Sequence, residues 1–198
     1  YDEVKCDEEF YQSALACGKF QRLLADYPAQ TLHETIPDFH NTKARFKVFK
    51  EAVEKDIYGR AKDVLTEIQF ILEREDVANV LTDMQLPLRV THNDTKLNNV
   101  LIDDKTHQGI CVIDLDTVMP GLAINDFGDS IRFGASTGAE DEKDLSLIQC
   151  DMHLFEVYTK GFIEGCDGKL TDEEIKALPL GAKVMNFECG MRFLTDYL

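Results

Sequence analysis

The chain has 198 residues, 21 Lys and Arg against 37 Asp and Glu, and a formal net charge of −16. Apolar residues make up 44 %, enough for a core of ordinary domain size. Such acidity argues against nucleic acid or an anionic membrane surface as partner, since both need a basic stripe, and no run approaches the roughly 18 apolar residues of a membrane span.

The first 80 residues read as helices. In residues 8–26, Phe10, Ala14, Phe20, Leu23 and Leu24 recur at roughly helical spacing until Pro28 ends the segment. A loop at 29–41 holds Ile36, Pro37, Asp38, Phe39 and His40. A second helix carries Phe46, Phe49 and Val53, and a third carries Val64, Ile68, Ile71 and Leu72. The texture then changes. Residues 86–90, 99–102 and 110–114 read as short strands, with a hairpin turn at 103–109. After residue 123 the helical pattern returns, with a long helix expected at 145–162. Thr171 and Glu174 fit a capping box. Pro179 is expected to divide that helix from a final one through Met185, Phe187, Met191 and Phe193. The predicted class is mainly α with a small β insert.

The six cysteines stand at 6, 17, 111, 150, 166 and 189. No two are separated by two residues and no His stands at zinc-ligand spacing beside them. The expectation is reduced, buried thiols in a cytoplasmic protein; no signal-peptide pattern opens the chain.

The β insert carries the chemistry. It reads Thr91-His92-Asn93-Asp94-Thr95-Lys96-Leu97-Asn98-Asn99, then an apolar strand, then Ile113-Asp114-Leu115-Asp116 at the end of the next strand. Strand ends are where a rigid scaffold aims side chains at a ligand. Asp94, Asn99 and Asp114 are oxygen ligands or a base, a set that suits a hard cation such as Mg²⁺ beside phosphate oxygens. Asp114 and Asp116 are two apart on an expected extended segment, so both can face one side. Asp and Asn are also ordinary turn residues. It is the joint spacing that points to function: His-x-Asp, Asn five residues on, and Ile-Asp ending the next strand.

That pattern resembles the catalytic core of the protein-kinase-like fold, and is most similar to the aminoglycoside phosphotransferase and choline kinase branch. Within it, His-Asn-Asp-Thr-Lys-Leu-Asn-Asn-Val-Leu followed by Val-Ile-Asp-Leu-Asp-Thr-Val-Met-Pro-Gly is similar to bacterial N-acetylhexosamine 1-kinases. The resemblance implies an ATP- and Mg²⁺-dependent small-molecule kinase, with an N-acetylhexosamine phosphorylated at its anomeric hydroxyl. Another aminoglycoside-, choline- or homoserine-type acceptor is the alternative. By the same resemblance, Asp94 accepts the proton of the attacking hydroxyl and Asn99 and Asp114 hold Mg²⁺. His92 orients the loop, Lys96 contacts the transferring phosphoryl group, and Asp116 supports the metal or joins a second. Arg192 and His40 are acceptor-side candidates. Asp126-Phe127-Gly128 spells the metal motif of protein kinases, but it stands too far past Asp94 and opens a helix. Asp126 therefore reads as a supporting acid that caps that helix or bonds the catalytic loop.

Residues 1–198 thus resemble a single C-terminal catalytic lobe. No glycine-rich loop followed by a strand Lys precedes residue 8. With Tyr1 at the start and Leu198 inside a helical pattern, the expectation is a fragment without its nucleotide-covering lobe or the last helices, inactive by itself. Two rivals use the same residues. Residues 110–118 also resemble the nucleophile motif of haloacid-dehalogenase-type phosphatases, where Asp114 would form the phosphoaspartate and Asp116 act as acid and base; that fold needs a parallel βαβ sheet afterwards. A non-catalytic pseudokinase is the other, against which the intact Asp94, Asn99 and Asp114 set argues.

Overall fold

The computed structural model describes residues 4–138 and 142–198. Among them are seven α-helices and four short strands. Helix α1 (Asp7–Leu23) begins with Asp7, Glu8 and Glu9, acids that complement the helix N-terminus. It buries Phe10, Ala14, Cys17, Gly18 and Gln21, one face of a 3.6-residue repeat. Helix α2 (Thr42–Lys55) starts where the Asn41 side chain accepts from the Ala44 amide at 3.0 Å. The expected third helix is α3 (Leu65–Leu72), and a further helix, α4 (Glu75–Asp83), follows it.

The strands form two antiparallel pairs. β1 (Arg89–Thr91) pairs with β4 (Met119–Gly121), with Thr91 opposite Met119. β2 (Val100–Ile102) and β3 (Gly109–Val112) form the expected hairpin. Strand β4 carries Pro120 and has no alternating pattern, so its residues gave no strand signal. β3 ends at Val112, and residues 115–117 form one 3-10 turn after Asp114. The extended segment expected to align Asp114 with Asp116 is therefore absent.

Helix α5 (Ala123–Gly134) is buried along nearly its whole length. The helix expected at 145–162 is instead α6 (Met152–Cys166). Asp151 decides its start by accepting from the His153 and Leu154 amides at 2.9 and 3.1 Å. Thr137 holds residues 147–149 off the helix: its hydroxyl donates to the Leu147 carbonyl and its amide to that of Gln149.

Helix α7 (Asp172–Tyr197) runs 26 residues with Pro179 inside it, so the expected break does not occur. Its capping box is present, as the sequence predicts. Two apolar clusters explain the continuity. Ala177, Leu178 and Ala182 join the core of α1, α5 and α6, while Val184, Phe187 and Met191 join that of α2, α3 and α4. One rigid helix spanning both outweighs the bond Pro179 cannot make. Glu174, buried in the same cap, also receives the Arg89 guanidinium at 2.5 and 2.6 Å. This ties the start of α7 to β1, the strand that leads into the polar loop.

No disulfide joins any of the six cysteines; Cys17 and Cys166 are buried, but Cys6, Cys111 and Cys150 are exposed, against expectation. Burial pushes the Cys17 thiol up to about 12. No described helix is long and apolar enough to cross a membrane.

Candidate active site

The polar loop at residues 92–99 leaves β1 and enters β2, and α5 clamps it from beneath. The Asp126 carboxylate accepts from the His92 amide at 3.0 Å, the Asn93 amide at 2.7 Å and the Gln21 side chain at 2.7 Å. Burial pushes this carboxyl above its usual range, while the two loop amides oppose that shift. Asp126 thus bonds the loop. It does not cap α5, whose N-cap is Leu122 with no side-chain bond. One turn on, Asp129 accepts from the Thr95 amide at 3.1 Å and Ser130 donates to the Thr95 carbonyl at 2.6 Å.

His92 is fully buried. Its Nδ1 faces the Asp94 amide at 3.3 Å, so Nδ1 accepts there and the other nitrogen carries the proton. That Nε2–H donates to the Ile113 carbonyl at 2.9 Å. The ring therefore joins Asp94 to the residue before Asp114. Asn99 completes the unit. Its Nδ2 donates to the Asp94 carbonyl at 2.8 Å and to Asp94 Oδ2 at 3.0 Å, and its carbonyl accepts from the Ile113 amide at 2.9 Å. Lys96 Nζ lies 3.2 Å from Asp94 Oδ1.

With Nδ2 committed to Asp94, Asn99 has Oδ1 left to accept or to ligate. Asp114 is exposed, and its carboxylate has no hydrogen-bond partner among the described residues. Its backbone is left-handed, φ 63° and ψ 58°, an uncommon conformation for a non-glycine residue and one that collects at functional sites. A neutral oxygen and a carboxylate on adjoining backbone fit a hard cation that keeps phosphate and water in its remaining positions. Asp116 is exposed in the following turn, and its carbonyl accepts from the Thr35 hydroxyl at 3.4 Å.

A cleft of about 220 Å³ opens beside the loop and brings Asp94, Lys96, His40 and Arg192 to one space. Arg192 is exposed, with its guanidinium over the Phe193 ring at 5.2 Å. His40 bridges α7 and the loop: Nδ1 lies 2.9 Å from Glu188 and Nε2 2.9 Å from the Asn93 carbonyl. Burial disfavours its charged form, but Glu188 and that carbonyl outweigh burial and raise its pKa.

Glu188, Asp129 and Arg132 line the same cleft, and the sequence reading passed over them. Glu188 had a signal. It falls three before Met191 and four after Val184, on the apolar face of α7, where an acid demands partners. It finds Thr42 at 2.6 Å and Arg45 at 3.5 Å besides His40.

A protein-family model, that of the phosphotransferase enzyme family (APH), matches residues 6–148. The chain belongs to this phosphotransferase family. The match spans the polar loop, the hairpin and α5, so the clamped loop described above is the family's own region. The family implies the kinase-like fold and a small-molecule phosphotransferase. Helix α7, which carries Glu188 and Arg192, lies beyond the matched residues. The antiparallel sheets exclude the phosphatase alternative, because neither described sheet supplies the parallel βαβ unit that fold requires.

Proposed function

We propose that this phosphotransferase moves the terminal phosphoryl group of ATP onto an alcohol oxygen of a neutral small molecule, an N-acetylhexosamine attacked through its anomeric hydroxyl. In this reading Asp94 takes the hydroxyl proton as the oxygen forms its bond to phosphorus. The bond from that phosphorus to the bridging oxygen breaks, and ADP leaves. Asn99 and Asp114 would hold Mg²⁺, which when bound neutralises charge on the phosphate oxygens. Lys96, paired with the base, reaches toward the transferring group. Arg192 and His40 face the acceptor, and Asp116 supports the metal side.

The observation that carries this reading is the hydrogen-bonded unit of Asp94, Asn99 and Ile113, with His92 bracing it from behind. Positioning of this kind supplies most of the catalysis in phosphoryl transfer.

The charge of the cleft favours a neutral acceptor over an aminoglycoside or choline. Each of its three carboxylates already has a cation: Asp94 has Lys96, Asp129 has Arg132, and Glu188 has Arg45 and His40. Arg192 is a further positive charge. A cationic acceptor therefore meets no unpaired acid there.

An acceptor screen of the intact protein with Mg²⁺ and ATP tests the proposal. ADP release with N-acetylhexosamines, accompanied by loss of the sugar's reducing end, is the expected result. Turnover of choline, homoserine or an aminoglycoside in place of the sugars would overturn the acceptor. Asp94→Asn should lower kcat by about 10²–10⁴-fold with an unchanged melting temperature; near-normal activity would remove Asp94 as the base.

A further inference from the structure

Away from the active site, the N-terminus of α1 meets the turn of the β2–β3 hairpin. Cys6 Sγ, a carboxylate oxygen of Glu9 and a ring nitrogen of His107 lie within 4.8 Å of one another. Their local geometry explains the convergence. Cys6 is the N-cap of α1 and Glu9 stands one turn later on the same face. His107 is presented by a braced turn: its amide donates to the Asp103 carbonyl at 2.8 Å, and the Asp103 side chain accepts from the Lys105 and Thr106 amides at 3.0 and 2.8 Å. The backbone at His107 is left-handed, φ 54°, which turns the residue back toward the helix.

A second observation points to a ligand. Glu9 is 2 % exposed, and its Oε2 is buried with no hydrogen-bond partner. Its other oxygen has only His107 Nδ1 among the described residues, at 3.2 Å. A buried carboxylate oxygen without a donor is costly unless a cation satisfies it. The sequence reading gave the cysteines no metal role because no His sits at zinc-ligand spacing beside them. Folding removes that objection by carrying His107 to Cys6.

We propose that Cys6, Glu9 and His107 form a binding site for Zn²⁺ or a similar transition-metal ion. The donor set is one thiolate, one imidazole and one carboxylate, with water in the fourth position. Soft sulfur and nitrogen donors set it apart from the all-oxygen Mg²⁺ site. On binding, the Cys6 S–H bond gives way to a sulfur–metal bond, and the proton passes to solvent. The metal would staple α1 to the hairpin turn, already touching through Gly109 N–H and Gln12 Oε1 at 3.3 Å. The other end of that hairpin is flanked by Asn99 and Asp114. The staple therefore braces the element whose two ends adjoin those residues.

Titration of the metal-free protein with Co(II), read by absorbance, tests the site. One equivalent should produce a thiolate-to-cobalt charge-transfer band, which added Zn(II) abolishes by displacement. Cys6→Ser should remove the band and His107→Ala should remove or shift it, while Cys111→Ser retains it. Zn(II) should also raise the melting temperature of the parent protein but not of Cys6→Ser. A parent protein that shows no such band, only the His107–Glu9 ion pair, overturns the proposal. So does a band that survives Cys6→Ser, since the cobalt would then sit on another thiol. Cys6 is exposed, so its replacement leaves the core intact.

Discussion

His40 stands between a carboxylate of α7 and the carbonyl of Asn93, the residue before Asp94. Its pKa is raised, so folding favours the protonated ring. The stability it contributes is fully present below the free-histidine value and is lost as pH rises through the folded one. Glu188→Gln should lower the His40 pKa, measurable by its ring-proton NMR titration. It should cost about 2 kcal/mol in mild acid and less in mild alkali, by urea denaturation at the two pH values. An unmoved His40 titration would separate the pair. At this scale the sequence is legible where spacing is short. Asp94, Asn99 and Asp114 follow from a local pattern, and the structure bonds Asp94 to Asn99 directly. Asp129 did not, and the spacing of Glu188 showed only that it needs partners, because a lone acid in a helix shows which ones only after folding.

Helix α7 shows the same limit one level up. Its capping box was readable, since Thr171 and Glu174 interact within one turn. Its continuity through Pro179 was not, because two separate cores hold the helix together on either side of that residue. Pro179 is exposed and lacks the N–H that would reach the Ile175 carbonyl. Pro179→Ala should therefore stabilise the protein by about 1–3 kcal/mol in urea denaturation. Destabilisation would mean that Pro179 sets a bend the packing needs. The start of α6 was misplaced by seven residues for a related reason. Leu145, Leu147 and Ile148 supply an apolar pattern, yet Asp151 and Thr137 hold the backbone bonds that decide the boundary.

Across the whole molecule, the charge of −16 is spread unevenly. The cleft beside Asp94 collects Arg45, Lys96, Arg132 and Arg192 around three acids. The remaining surface is strongly acidic and repels itself. Raising NaCl from about 10 to about 150 mM should therefore raise the melting temperature by screening that repulsion. A fall would mean that the salt bridges, most of them on the surface, outweigh it. The total charge did not show that the cleft gathers four cations, because a sum carries no positions.

What the sequence by itself determined was the helical plan, the hairpin and the spacing of the polar loop. Each depends on residues within a few turns of one another. What only the tertiary structure decided was which distant groups meet. His40 and Glu188 are 148 positions apart, Gln21 and Asp126 are 105 apart, and Glu9 and His107 are 98 apart. Contacts of that length leave no periodic trace along the chain. They arise when apolar faces pack, and the polar groups carried with them must then find partners away from water.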